Sequence, residues 1–255
     1  MKRRELLPLM LASAATHTWA QTSVTIAAAS DLKFALDVIV AGYEKSTGRA
    51  VRVTYGSSGN FARQLEQGAP FDMFMSADEG FVKALATKGL TADEGALYAS
   101  GRIVLFSPSE TAFTPDPGME GLKAALAQGR VRKFAIANPE HAPYGRAAMQ
   151  ALQAKGLWTQ LEPKLVMGEN VSQAAQFAAS GSTEGGIFAL SLALSPNFGG
   201  RGKYAVLPEP LHQPLRQRMV LMRRAVPEAR AFYEYLQGPA ARDVFKRFGF
   251  RLPGE

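Results

Sequence analysis

The chain is predicted to be an α/β protein of two lobes, each a mostly parallel sheet flanked by helices, with a ligand cleft between them. Short apolar runs alternate with helical patterns from residue 24 to the end. Repeated strand–helix–strand order with connections of this length implies parallel strands with helices on both faces. The alternation falls into two series of similar size, parted by the irregular, proline-rich stretch "FTPDPG" (113–118). No flexible Gly/Ser linker separates the series, so lobes joined by crossing strands fit better than two independent beads. A length of 255 residues with 47% hydrophobic and 20% charged residues suffices for a core in each lobe.

In chain order, "VTIAAA" (24–29) reads as a buried strand. Leu32, Ala35, Leu36, Ile39, Val40 and Tyr43 then recur at helical spacing, and Gly48 closes that helix. "AVRVTY" (50–55) alternates as a strand, followed by a short helix carrying Phe61 and Leu65 that runs to Gly68. "FDMFMSA" (71–77) is the third strand, and Asp78 caps a helix with Phe81 and Leu85 that ends at Gly89. "GRIVLFSPS" (101–109) is a strand that enters the second series. There "LKAALAQ" is helical, "KFAIAN" (133–138) a strand, "GRAAMQALQAKG" (145–156) a helix, "LWTQLE" a helical turn and "KLVMG" (164–168) a strand. "VSQAAQFAAS" (171–180) is a helix and "GGIFAL" (185–190) a strand. "QRMVLMRR" (217–224) is the last strand, before two terminal helices opened by Pro227 and Pro239. Residues 21–101 with 207–255 are expected to form one lobe and 102–206 the other, with hinges near 99–103 and 205–217.

Residues 1–20 stand apart. Lys2, Arg3 and Arg4 precede an apolar stretch from Leu6 to Ala15 and a small-residue end at Ala20, the layout of a secretory signal cleaved near Ala20–Gln21. The stretch is too short for a permanent anchor. A periplasmic, soluble mature protein is therefore expected. The whole chain carries 29 Lys+Arg against 22 Asp+Glu, and without residues 1–20 the balance falls from +7 to +5. The basic residues are dispersed, in "RVRK" (130–133), "RQR" (216–218) and "RR" (223–224), with no aromatic platform among them, which argues against nucleic-acid binding. There is no cysteine, so neither disulfides nor thiol chemistry are available.

Four strand-to-helix junctions share one character: Ser30 with Asp31, Ser57 with Ser58, Tyr144 with Gly145, and Asn170 with Val171 and Ser172. In an α/β sheet such junctions lie at the carboxyl edge of the strands, where ligands bind. Each presents helix-opening N–H groups without intrahelical partners at the positive end of the dipole. Serine is also an ordinary helix cap, so one junction alone reads as structure. Four of them, two in each series, point to a small anion held by neutral donors across a cleft. Arg63 and Arg146 are expected to be peripheral. The competing reading is a serine hydrolase. It needs a base, and only His141 and His212 remain beyond the signal segment, while "GSSGN" does not match G-x-S-x-G. No paired-histidine or cysteine spacing suggests a metal site, and the pairs Asp78–Glu79 and Asp93–Glu94 read as helix starts.

"VTIAAASDL", "GSSGNFARQLEQGAPFDMFMSAD" (56–78), "NPEHAPYGRAA" (138–148), "ENVSQA" (169–174) and "AFYEYLQGPAARDVFKRFGF" together resemble the periplasmic molybdate-binding proteins of ABC transporters, class II solute receptors that close on a tetrahedral oxyanion. The resemblance covers essentially the whole chain beyond the signal segment. It implies that Ser30 and Ser58 donate hydroxyl and main-chain N–H groups, Asp31 a main-chain N–H, and Tyr144 and Val171 mainly main-chain N–H groups. It further implies a ligand of molybdate or tungstate, no cofactor, a membrane permease as partner, and a monomer. Many relatives carry a tyrosine where this chain has Phe188, so the Tyr144 hydroxyl is expected to supply that donor. Sulfate and phosphate are the alternative ligands. Phosphate keeps a proton at neutral pH and would need an acceptor. Asp31 is the one carboxylate at hand, and its side chain is expected to point outward across the helix start.

Overall fold

The computed structural model describes residues 23–108 and 113–255. Residues 1–20, read above as a secretory signal, lie outside the described residues, as does Ser109 at the end of its predicted strand. The strands are β1 (Val24–Ala29), β2 (Val51–Gly56), β3 (Met73–Ser76), β4 (Ala96–Gly101), β5 (Ile103–Pro108), β6 (Phe134–Ala137), β7 (Leu165–Gly168), β8 (Gly186–Ala189), β9 (Gly202–Val206) and β10 (Leu215–Leu221). The helices are α1 (Lys33–Thr47), α2 (Ser58–Glu66), α3 (Glu79–Thr87), α4 (Glu120–Ala127), α5 (Pro143–Ala154), α6 (Trp158–Leu161), α7 (Val171–Ala179), α8 (Leu190–Ala193), α9 (Glu228–Tyr235) and α10 (Pro239–Arg247). A 3₁₀ turn over Ser30–Leu32 leads straight into α1.

Two five-stranded sheets result, ordered β2-β1-β3-β10-β4 and β7-β6-β8-β5-β9. The same plan is used twice. Three strands of each sheet run parallel, β2-β1-β3 in the first and β7-β6-β8 in the second. The strand arriving from the other sheet, β10 or β5, is then inserted antiparallel, with one more antiparallel strand at the edge. The parallel character therefore belongs to half of each sheet. A strand that crosses between lobes enters from the opposite end and must run the other way. The chain passes from β4 to β5 through Arg102 alone and returns through 207–214.

Strand β1 is an alanine-rich run with Ile26, Ala27 and Ala28 fully buried, as befits a central strand covered on both faces. One cluster packs Leu36, Ile39 and Tyr43 of α1 against Phe232 of α9 and Phe245 of α10, which brings the C-terminal helices back to the first sheet. Phe61, Leu65, Phe74 and Leu85 fill its other face. The second sheet has one large cluster around Phe106, Phe134 and Phe188. Ala29, Ala77 and Leu215 from the first sheet join it, so apolar packing continues across the lobe boundary.

Two local expectations are corrected. Residues 96–101 form a strand that the sequence pattern did not show. Asp93 and Glu94 open no helix; the Asp93 carboxylate instead accepts the Gly95 N–H at 2.8 Å within a turn. Asp78 does cap α3, accepting the Gly80 N–H at 2.8 Å.

Candidate functional site

All four junctions converge. A narrow cavity of about 10 Å³, room for about one water molecule, lies between the sheets and is lined from the first lobe by Ala29, Ser30, Asp31, Gly56, Ser57, Ser58 and Ala77. Ala142, Pro143, Tyr144 and Val171 line it from the second. All five expected site residues, Ser30, Asp31, Ser58, Tyr144 and Val171, are on its wall and all are buried. None of the lining residues is Lys, Arg or His.

The helix openings meet this cavity with their donors already sorted. In α2 the Asn60 N–H is capped by the Ser57 hydroxyl, Phe61 N–H bonds Ser57 carbonyl, and Gly59 N–H donates across the cleft to the His141 carbonyl at 2.9 Å. That leaves the Ser58 N–H. In α7 the Asn170 side chain caps Gln173 N–H, Ala174 N–H closes the first turn, and Ser172 N–H donates to Ser30 Oγ at 3.3 Å. That leaves the Val171 N–H. In α5 the first residue is proline, which has no N–H, and Tyr144 follows it. So Ser58, Tyr144 and Val171 each bring a first-turn N–H that no acceptor in its own helix can take.

The two serine hydroxyls are poised in the same way. Ser58 Oγ accepts the buried Ala77 N–H at 3.0 Å, and Ser30 Oγ accepts that of Ser172. Each hydroxyl has thereby spent a lone pair on the fold, and among the described residues neither proton has an acceptor. A hydroxyl that already accepts from a backbone donor still has its own proton to offer, and both side chains line the cavity.

Asp31 departs from expectation. Its side chain turns inward, not outward over the helix start. Oδ2 accepts the Tyr144 hydroxyl from the other lobe at 3.0 Å and the Gln217 amide at 2.7 Å. Gln217 in turn accepts from the Tyr98 hydroxyl at 2.7 Å and donates to Tyr144 Oη at 3.0 Å. Two fixed donors outweigh the weaker attraction of an exposed helix start. Oδ1 is buried and has no partner among the described residues. Burial raises the Asp31 pKa from 3.8 to about 6, against the lowering effect of the bonds from Gln217, Tyr144 and its own main-chain N–H. Burial, and then the Asp31 charge, hold the Tyr144 phenol well above its ordinary pKa.

The Tyr144 hydroxyl is thus committed to Asp31, contrary to the expectation that it replaces a donor missing at Phe188. Phe188 itself is core, wedged between the Phe106 and Phe198 rings at centroid distances of 5.3 and 5.6 Å. Further ties hold the cleft shut. Ser172 Oγ donates to the Ser30 carbonyl at 2.8 Å, and Ser191 Oγ to the Asp31 carbonyl at 2.7 Å. Arg146, expected at the periphery, spans the lobes to Asp78 at 3.2 Å from a half-exposed position. Arg63 stays on its own helix and donates to Asn60, which also bonds Glu169 of the other lobe. His141 meets Ser57 Oγ through Nδ1 at 2.9 Å, with Glu169 3.6 Å from Nε2. The serine that touches a base is therefore the helix cap, and Ser58 touches none.

Gln217, Tyr98 and Ser191 escaped the sequence reading. Gln217 left a trace: Leu215, Gln217, Met219 and Leu221 share the inward parity of β10, and a glutamine at such a position calls for buried partners.

A closed cleft between two twin sheets, walled by helix openings and neutral donors, defines a two-lobed receptor for a small anionic solute. The chain belongs to the bacterial extracellular solute-binding protein family, whose model matches residues 24–251. It is 35% identical over 232 residues to the molybdate-binding protein ModA of Azotobacter vinelandii, covering 90% of each chain. It is 32% identical to ModA of Escherichia coli K12 over 90% of this chain and 89% of that one. The solved periplasmic molybdate-binding protein of A. vinelandii superposes with a TM-score of 0.80 at 30% identity, over 90% of this chain and 99% of the other. The sulfate-binding protein SubI of Mycobacterium tuberculosis shares the fold, with a TM-score of 0.74 at 15% identity over 91% of this chain and 88% of that one.

Proposed function

We propose that the chain is a periplasmic receptor that captures molybdate, and with it tungstate, in the interlobe cavity and delivers the closed complex to the permease of an ABC transporter. The observation that carries this reading is the cavity wall. Three first-turn N–H groups and two hydroxyl protons, from both lobes, face one small space that holds no cationic side chain. Such a shell suits a fully deprotonated tetrahedral anion, every oxygen of which only accepts hydrogen bonds. Ser30, Asp31, Ser58, Tyr144 and Val171 are the proposed ligand residues, with Asp31 and Tyr144 contributing main-chain N–H groups. The names of the relatives in A. vinelandii and E. coli support the choice of molybdate over sulfate.

Capture is a hinge motion. Arg102 and the 207–214 segment are the two crossings about which the lobes open. In the closed form Tyr144, Ser172, Ser191 and His141 of one lobe meet Asp31, Ser30 and Ser57 of the other. The same contacts explain how the anion drives closure: Ser58 and Tyr144 can share its oxygens only when the lobes are together. The Ser58 hydroxyl has Ala77 N–H as its partner and no base, and Ser57, the serine that meets His141, serves as the cap of α2.

Calorimetry of the mature protein against molybdate, tungstate, sulfate and phosphate tests the reading. Tight binding of the first two with no response to sulfate supports it. Silence toward every oxyanion overturns it, and ester turnover abolished by Ser57→Ala, at the serine beside His141, would establish the hydrolase instead.

A further inference from the structure

The proposed anion shares its cavity with a carboxylate. Asp31 is on the cavity wall, 1% exposed, and one of its oxygens, Oδ1, is buried without a partner. The groups packed around it offer no positive charge. On α1, Lys33 pairs with Asp37 at 3.1 Å. Ahead of α5, His141 is turned to Ser57 and Glu169, and on α5 Arg146 is turned to Asp78. On β10, Arg216 and Arg218 both pair with Glu79 and only neutral Gln217 reaches Asp31. α7 and α8 bring Ser172 and Ser191, while Tyr144 and Tyr98 bring phenols that burial keeps protonated. A dianion and an ionised carboxylate side by side, with no cation between them, repel strongly in a water-excluded space.

We propose that Asp31 enters the anion complex as the neutral acid, so that capture of a fully deprotonated oxyanion draws one proton from solvent into the cleft. The inference rests on the receptor reading above. The proton goes to the Asp31 carboxyl, no covalent bond to the anion forms, and the ligand keeps both its charges. The existing network fixes where the proton sits. Oδ2 is occupied by the Tyr144 and Gln217 donors, so the hydroxyl forms at Oδ1, the oxygen left without a partner. Asp31 thereby changes from a group that repels the anion to one more donor in its shell. In the open form the carboxyl meets water and returns to its ordinary acidity, which couples release to loss of that proton.

Molybdate titrations of the whole mature protein, run calorimetrically in two buffers of different ionisation enthalpy, count the proton directly. The expected result is uptake of one proton per molybdate between the ordinary carboxylate pKa of the open form and the raised pKa of the complex, with Kd rising by up to about tenfold for each pH unit from about pH 4 to at least about pH 6. Asp31→Asn replaces the neutral acid by an amide whose oxygen suits Tyr144 and Gln217 and whose NH₂ falls at the Oδ1 position. This variant is expected to bind molybdate with no proton uptake and a flat pH profile, tighter than the wild type at pH 8. Wild-type binding without proton uptake overturns this inference alone. A variant that keeps the wild-type slope also overturns it, by placing the proton elsewhere. Absence of all oxyanion binding overturns the receptor reading, and this inference with it.

Discussion

Replacing Ser58 by alanine separates the two jobs of one hydroxyl. Ser58 is fully buried, and its oxygen accepts the Ala77 N–H at 3.0 Å. Without it that backbone donor is left unpaired, a loss of about 1–3 kcal/mol of folding stability. The hydroxyl proton is the part proposed to face the anion. A hydrogen bond to a charged group contributes about 1.5–3 kcal/mol, so Ser58→Ala should raise the molybdate Kd by about 10- to 150-fold. Ser57→Ala is the comparison. That hydroxyl caps α2 and bonds His141, so its loss should lower stability and weaken closure while costing less in affinity than Ser58→Ala. Calorimetry gives the affinities, and thermal melting of the ligand-free proteins gives the stability losses. A Ser58→Ala variant that is destabilised yet binds within about threefold of the wild type would refute the argument, because it would place the hydroxyl proton away from the anion.

Two more predictions follow from close contacts and from burial. A Cβ on Gly59 would lie 2.7 Å from the His141 carbonyl oxygen of the other lobe, so Gly59→Ala should obstruct closure and weaken molybdate binding at least tenfold; unchanged affinity would mean that this closed contact is dispensable. The Asp31 pKa is raised from 3.8 to about 6 in the closed fold, so its contribution is fully present below pH 3.8 and lost as pH rises through 6. Above that range the ionised group costs about 3 kcal/mol, and Asp31→Asn should therefore melt higher than the wild type at pH 8 and lose that advantage toward pH 4. A variant that melts lower at both pH values would contradict the sign.

The elements were largely legible because they rest on local signals. Gly48 ends α1 with a left-handed φ of 70°, Asp78 caps α3, and Pro239 opens α10. The junction residues were legible because serine, glycine and asparagine at a strand-to-helix turn have few jobs, and four such turns, two from each sheet, line one cavity. β4 was not. "ALYASG" is a half-polar edge strand held by β10, from more than 100 residues later in the chain, and its own pattern hardly differs from a loop. The direction of Asp31 was missed for the same reason. A local rule, carboxylate over a helix start, lost to Tyr144 and Gln217, which stand 113 and 186 residues away in sequence. Tyr144 lines the cavity, and its hydroxyl donates to Asp31, a partner that nothing local announces. Its neighbour Gly101, whose missing Cβ would lie 2.1 Å from the hydroxyl, is the structural sign that the phenol is wedged against the crossing strand.

Tungstate offers the most direct test of where the anion sits, since its heavy atom is located crystallographically without reference to the protein's chemistry. Crystals of the protein grown with tungstate should show one tungsten peak per chain, between the helix openings at Ser30, Ser58, Tyr144 and Val171 and within hydrogen-bonding reach of the Ser30 and Ser58 hydroxyls. A fully occupied tungsten site elsewhere on the chain, with this cavity vacant, would contradict the assignment of the cleft as the capture site.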